Sequence, residues 1–322
     1  MTTVNQHLAF VFPGQGSQSV GMLTQLAATH CEVKEVFDRA STALHKDLWA
    51  LVTEGPANEL DRTVNTQPAL LAAGVAIWTV WCKLSAIRPA WSAGHSLGEY
   101  TALVCADAFQ FEDAIQLVAT RGHLMQEAVP EGVGAMAAIL GLDDADVISA
   151  CIEGAHGQIV SAVNFNAPGQ VVIAGHASAV ERTMQIAKKM GAKKALPLPV
   201  SVPSHCALMQ PAAEQLQLHL ANTPIAPFAR QLLHNVDVQC HADAVAIRSA
   251  LSEQLYKPVR WVETITKMAN SGVNYFVECG PGKVLSGLNK RIAKQATHFQ
   301  LSDPESLQQL LDYPLPVSEN HN

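Results

Sequence analysis

The chain is 322 residues long, with 48% hydrophobic and 15% charged residues and a formal net charge of −7. That composition excludes a disordered or fibrous chain, and the acidic balance excludes a general nucleic-acid binder, which carries a basic excess or a dense Lys/Arg stripe. The length favours one large domain carrying a smaller one.

The first predicted element is a short buried strand over residues 8–12, ended by Pro13-Gly14. The N-terminus lacks a basic segment and its apolar run is too short for a signal peptide. Seven cysteines lie scattered with no C-x-x-C pair, which fits free thiols in a reducing compartment, so a cytoplasmic protein is expected. Helical spacing follows over residues 31–45 and 67–84. The longest apolar stretch, 68–81, falls short of the ~20 residues that span a bilayer and reads as a core helix, so no membrane segment is expected. A second strand over 89–94 leads into a helix over 97–106. Residues 111–128 then place Ile115, Leu117, Val118, Leu124 and Met125 so that one helix face is largely apolar. Strands alternating with helices imply a parallel sheet.

The pattern changes between residues 131 and 198. A strand V-G-A-M-A-A-I-L, a helix opened by Asp143-Asp144, strands I-V-S-A-V-N and Q-V-V-I-A, a helix over 177–190 and a strand K-K-A-L-P-L succeed one another. That order, β-α-β-β-α-β, predicts a ferredoxin-like module inserted into the larger unit. Pro197, Pro199 and Pro203 mark its exit, after which helices over 206–221 and 259–271 and a strand over 275–279 resume. The expected organisation is an α/β core with a mostly parallel sheet built from residues 1–130 and 199–300, an inserted subdomain over 131–198, and a weakly ordered tail over 301–322. No internal repeat is visible.

The stretch A-G-H-S-L-G-E-Y, residues 93–100, sets Ser96 between two glycines where strand gives way to helix. This G-x-S-x-G pattern suits a nucleophile presented on a sharp turn, as in α/β-hydrolase-like sheets, and equally a plain turn serine. A serine hydroxyl needs a base to take its proton. His95 is adjacent, but neighbouring side chains at a strand end point different ways. His205, in V-P-S-H-C-A-L-M, follows the proline-rich exit and is better placed to face a cleft; its alternative is a helix-capping or core role. The loop P-G-Q-G-S-Q, residues 13–18, ends the first strand, where open α/β sheets bind ligands. The backbone N–H groups of Gln15 and Leu97 are the candidate oxyanion donors. Gly14 and Gly16 are otherwise turn residues, and Gly21 comes too late for a dinucleotide-binding G-x-G-x-x-G. Arg121, late in its helix, either complements the helix dipole at the surface or captures a substrate carboxylate.

The segments G-Q-G-S-Q, G-H-S-L-G-E-Y, R-G-H-L-M-Q-E-A-V-P-E-G, V-N-F-N-A-P-G-Q-V-V-I-A-G, P-S-H-C-A-L-M and Q-L-Y-K-P-V-R-W occur in this order. Together they resemble the bacterial malonyl-CoA:acyl-carrier-protein transacylases, from about residue 8 to residue 292. The resemblance implies a ping-pong transfer of malonyl from coenzyme A to the phosphopantetheine thiol of acyl carrier protein, supplying fatty-acid synthesis. It implies that Ser96 is acylated, that His205 is its base, that Gln15 and Leu97 hold the oxyanion, and that Arg121 binds the malonyl carboxylate. The backbone carbonyl of Gln254 would orient the histidine in place of the usual carboxylate, fixing the tautomer while stabilising the imidazolium less. Asn164 and Asn166 would line the cleft from the inserted module. Malonyl-CoA is then a substrate, with no metal and no permanently bound cofactor, acyl carrier protein is a transient partner, and a monomer is the expected state. Lys188, Lys189, Lys193 and Lys194 are either a solvated face or a contact for coenzyme A phosphates or the acidic carrier protein.

Two rivals make different predictions. A serine hydrolase needs an acid between Ser96 and His205 in the chain, and Asp143, Asp144 and Asp146 are available but read as acids of a helix N-terminus. A non-catalytic carrier-protein scaffold would not need serine, histidine, arginine and loop glycines together. A polyketide acyltransferase would carry nearly the same motifs.

Overall fold

The computed structural model describes residues 2–200 and 202–316. The described residues form nine strands: β1 (Thr3–Phe12), β2 (Ile87–Gly94), β3 (Gly134–Leu140), β4 (Val160–Ala167), β5 (Gln170–His176), β6 (Lys194–Pro197), β7 (Gln231–Leu233), β8 (Tyr275–Cys279) and β9 (Thr297–Leu301), separated by helices except between β4 and β5. Five of them form one sheet in the order β7-β2-β1-β8-β9, with every ladder parallel. β1 explains the arrangement. Its residues Leu8, Ala9, Phe10, Val11 and Phe12 are all buried, an unbroken apolar run suited to a strand covered on both faces. Leu8, Phe10 and Phe12 pack into one core with helix Thr63–Leu84, while Ala9 and Val11 point the other way, to Trp261 and Ile265.

Helix Thr63–Leu84 is longer than the apolar stretch that predicted it, and by length and composition alone it could cross a membrane. It lies inside the protein instead, with 78% of its most apolar window buried. The extra first turn is polar and buried. Asn65 Nδ2 donates to Glu59 O at 2.7 Å and Thr66 Oγ1 to Leu60 O at 2.5 Å, so these side chains tie the helix to the preceding loop.

The remaining four strands form an antiparallel sheet in the order β4-β5-β3-β6. Helices Asp144–Ala155 and Ala177–Lys189 cover the face that carries Ala137, Ile139, Val171 and Ile173. This is the β-α-β-β-α-β arrangement expected from the sequence. The small sheet is stitched to the large unit by two backbone bonds, Phe165 N–H to Val259 O at 3.0 Å and Val259 N–H to Val163 O at 2.8 Å. That stitch carries the end of β4 towards the C-terminal ends of β1 and β2.

The tail expected to be weakly ordered from residue 301 is, over 301–316, part of the fold. β9 pairs in parallel with β8, and helix Pro304–Asp312 follows with a capping box in which Asp303 and Ser306 satisfy each other's backbone. Leu307, Leu310 and Leu315 are buried in the main core. The expectation for residues 317–322 lies outside the described residues. β7, β9 and helix Ala244–Glu253 also escaped prediction; the two strands, one of three residues and one without a buried apolar run, owe their existence to the neighbours they pair with.

Candidate active site

The turn at the end of β2 is built by close backbone approach. A Cβ placed on Gly94 would lie 1.8 Å from the carbonyl carbon of Gly98, and one on Gly98 would lie 2.0 Å from the oxygen of Phe12. Only glycine at both places lets β2, the following helix Gly98–Cys105 and the end of β1 meet. Between them Ser96 takes φ 52°, a left-handed conformation uncommon for a residue with a side chain. The turn is locked by Asn235, whose Oδ1 accepts from Ser96 N–H at 2.8 Å and whose Nδ2 donates to Gly94 O at 2.7 Å. Among the described residues neither Gln15 N–H nor Leu97 N–H donates to another protein group.

His205 also sits in the left-handed region, at φ 65°. Its Nε2 is 2.9 Å from Ser96 Oγ and its Nδ1 is 2.6 Å from the backbone oxygen of Gln254. A carbonyl only accepts, so Nδ1 carries the proton and Nε2 is free to accept from the serine hydroxyl. The ring is a core residue in one sense, being buried, but its reactive nitrogen faces Ser96. Burial first, and the Arg121 cation second, pull its pKa down from the ordinary 6.5 to about 3. Below pH 6.5 the unfolded chain therefore binds a proton that the folded ring refuses until about pH 3. Stability associated with this group is full above pH 6.5 and falls as pH drops through that window. Urea midpoints measured from pH 7 to 4 are expected to fall less steeply in His205→Gln than in the unaltered protein.

Arg121 is buried, which removes the surface reading of its helix position. Its Nη1 donates to Gln67 Oε1 at 2.7 Å, and its Nη2 donates to Gln254 Oε1 at 2.9 Å and to Ser96 Oγ at 3.2 Å. Nε has no partner, and the guanidinium carbon stands 5.4 Å from the ring centre of Tyr100. All its hydrogen-bond partners are neutral.

Ser96 and His205 open onto a cleft of about 110 Å³ whose other walls include Gln15, Thr63, Met136, Asn164 and Leu198. The side chain of Gln15 donates to Thr63 Oγ1 at 3.3 Å. Asn164 Oδ1 is buried there without a partner. Asn166 is not among the lining residues; its Oδ1 is 2.8 Å from Nε2 of His95, whose ring leans on Trp261. His95 is thus occupied elsewhere and does not reach Ser96. Asp143, Asp144 and Asp146 lie at the start of helix Asp144–Ala155, with Asp143 in the cap position but making no side-chain cap bond, and none of them bonds to His205. Lys188, Lys189, Lys193 and Lys194 are exposed. Among the described residues no group of three or more His, Cys, Asp or Glu side chains could hold a metal ion.

Residues 9–303 match the family model described as the acyl transferase domain. The chain belongs to the acyl transferase family. It is 58% identical over 299 residues to the malonyl CoA-acyl carrier protein transacylase of Salmonella typhimurium, covering 93% of this chain and 97% of that protein. The crystal structure of an acyl carrier protein S-malonyltransferase from Vibrio cholerae matches with a TM-score of 0.93 and 55% identity, over 94% of this chain and 99% of that one. A malonyl-transacylase in complex with a type II PKS acyl-carrier protein matches with a TM-score of 0.94 and 54% identity, over 95% of this chain and 99% of that one.

Three residues of this acyl transferase site were not singled out from the sequence. Gln67 holds Arg121, Asn235 holds the serine turn, and Glu99 binds His234, Asn235 and Gln254 beneath it. Glu99 had a signal, since an acid inside the apolar helix after the nucleophile turn needs buried donors. Gln67, at the start of a long apolar helix, had a weaker one. Asn235 had none.

Proposed function

We propose that this acyl transferase moves malonyl from coenzyme A to the phosphopantetheine thiol of acyl carrier protein through an ester on Ser96, supplying extender units for fatty-acid synthesis. As Ser96 Oγ attacks the thioester carbonyl, His205 Nε2 takes its proton, and the N–H groups of Gln15 and Leu97 receive the developing oxyanion. Collapse breaks the C–S bond, and His205 returns the proton to the departing coenzyme A thiol. The carrier-protein thiol then gives its proton to His205, its sulfur attacks the ester carbonyl, and Ser96 Oγ leaves with the proton. Gln254 carbonyl keeps the imidazole in the tautomer that these steps need.

The observation that carries the malonyl reading is Arg121, a buried cation with neutral partners only, with one nitrogen 3.2 Å from the nucleophile. An acyl chain ending in a carboxylate supplies the missing negative charge where an acetyl chain cannot. Burial is the larger cause of the low His205 pKa and the Arg121 cation the second; the incoming carboxylate offsets that second cause, so the base strengthens when the right substrate is in place. Asn164, with its unpartnered Oδ1, is a polar contact for the substrate, and Asn166 acts through His95.

No metal and no bound cofactor enters this scheme. The carrier protein is a transient partner and the working form a monomer. Seven unpaired cysteines support placing the reaction in the reducing cytoplasm. We assign residues 1–130 and 199–300, together with 301–316 that pack into the same core, to the catalytic unit, and 131–198 to the inserted subdomain that closes the cleft. The test is intact-mass analysis after exposure to malonyl-CoA or acetyl-CoA, followed by carrier protein. A malonyl adduct that disappears on adding carrier protein is expected, and Arg121→Ala is expected to lose malonyl preference by about 100-fold, the scale of an unpaired buried charge. Equal malonyl and acetyl adducts on the unaltered protein would remove Arg121 from the role.

A further inference from the structure

Arg121 and Glu99 are both buried, yet no bond joins them. Arg121 Nη2 donates to Gln254 Oε1 at 2.9 Å, and Gln254 Nε2 donates to Glu99 Oε2 at 2.9 Å, so a single neutral carboxamide stands between them. That carboxamide has one orientation. Its Nε2 also donates to Ser96 O at 3.0 Å, and reversing it would set its NH₂ against the guanidinium and its oxygen against two acceptors. Glu99 receives His234 Nδ1 at 2.7 Å, Asn235 N–H at 3.0 Å and Gln254, which is the donor set of an ionised carboxylate.

A buried guanidinium without any counter-charge is costly, and one paired directly to an acid already has its charge neutralised and attracts a second carboxylate weakly. Holding the acid one amide away avoids both outcomes. Nε stays unpartnered and Nη2 stays turned to Ser96 Oγ, while the negative charge behind Gln254 weakens the pull of Arg121 on anything in the cleft. A transferase has to release the acyl carboxylate as well as capture it.

We propose that Glu99 is the remote counter-charge of Arg121, and that it tempers the grip on the acyl carboxylate so that the malonyl group passes on to the acceptor thiol. The proposal rests on Arg121 being the carboxylate-binding residue. Glu99 touches neither substrate nor reacting atoms; it is a positioning residue that acts through Gln254.

Glu99→Gln removes the charge at nearly constant shape. Its Oε1 still accepts from Asn235 and Gln254, and its NH₂ turns to His234 Nδ1, which passes its proton to the unpartnered Nε2. Glu99→Asp keeps the charge one methylene further from Gln254. The measurement is kcat/KM for acylation by malonyl-CoA and by acetyl-CoA, together with the rate at which each acyl-enzyme is discharged by holo acyl carrier protein. Thermal melts verify folding. The malonyl-over-acetyl ratio is expected to rise about tenfold in Glu99→Gln and two- to threefold in Glu99→Asp, with malonyl discharge slowed more than acetyl discharge, as a strengthened ion pair in a partly screened interior requires. A ratio left unchanged because both donors slow alike, or a ratio lowered, in whichever variant folds, would reduce Glu99 to scaffold and overturn the proposal. Arg121→Ala separates the two readings. If it leaves the ratio intact, the carboxylate role of Arg121 has failed; if it abolishes the ratio while the Glu99 variants leave it unmoved, only the counter-charge has failed.

Discussion

Ser96→Ala is expected to carry no acyl group and to transfer malonyl at least about 10⁴-fold more slowly, the scale on which removal of an activated nucleophile acts. The substitution removes the Oγ that His205 Nε2 approaches at 2.9 Å and that Arg121 Nη2 approaches at 3.2 Å. It leaves Gln67 and Gln254 on the guanidinium and the Gln254 carbonyl on His205, so the pocket keeps its shape. Malonyl-CoA binding is therefore expected to survive while chemistry stops. Intact mass measures the adduct and a carrier-protein transfer assay measures the rate. Combining Ser96→Ala with His205→Ala is expected to cost little more than either alone, because the two groups serve one proton transfer. Persistence of an adduct in Ser96→Ala would move the acyl group to another residue.

The second large effect concerns folding. Gly94→Ala is expected to destabilise the protein by more than about 4 kcal/mol, in the range reserved for forced backbone displacement, and to leave little folded material. The added carbon would meet Gly98 C at 1.8 Å, Gly98 O at 1.9 Å and Glu99 N at 2.1 Å. These are backbone atoms at the start of a helix, and no rotamer change moves them. Gly287→Ala is the contrasting case. It lies in helix Val284–Ile292 with nothing within 4 Å of the new carbon, and it is expected to stabilise the protein by about 0.5–1 kcal/mol through helix propensity. Urea denaturation of the two variants checks both. A folded, stable Gly94→Ala would mean that the nucleophile turn is looser than its geometry.

Much of the fold was legible because its signals are local. The alternation of the inserted module, the apolar run of β1 and the amphipathic helix Phe111–Ala128 each bury a face that can be read within a dozen residues. β7 and β9 were not legible: β7 has only three residues, and β9, T-H-F-Q-L, lacks the buried apolar run that marks the equally short β8, so their strand character comes from pairing with β2 and β8. Helix Pro304–Asp312 falls in the stretch expected as tail from its terminal place, whereas its leucines close the core beside β9. In the site, Asn166 showed the limit of a motif. It stands two residues from Asn164 on the same strand, yet it bonds to His95 and is not part of the cleft wall.

The sequence by itself determined the types of chemistry available. Two glycines around Ser96 announce a turn too tight for side chains, a backbone requirement that four neighbouring residues express alone. It also determined the family, through segments that keep their order along the chain. Only the tertiary structure decided which of the histidines reaches Ser96, from 109 residues away, and which way Arg121 faces. The same is true of Gln254, which serves His205 with its backbone and Arg121 with its side chain, and of Glu99 behind it. The reason is physical. A buried charge or a hydrogen bond is specified by what surrounds it in space, and for these residues the surroundings come from parts of the chain with no periodic relation to one another.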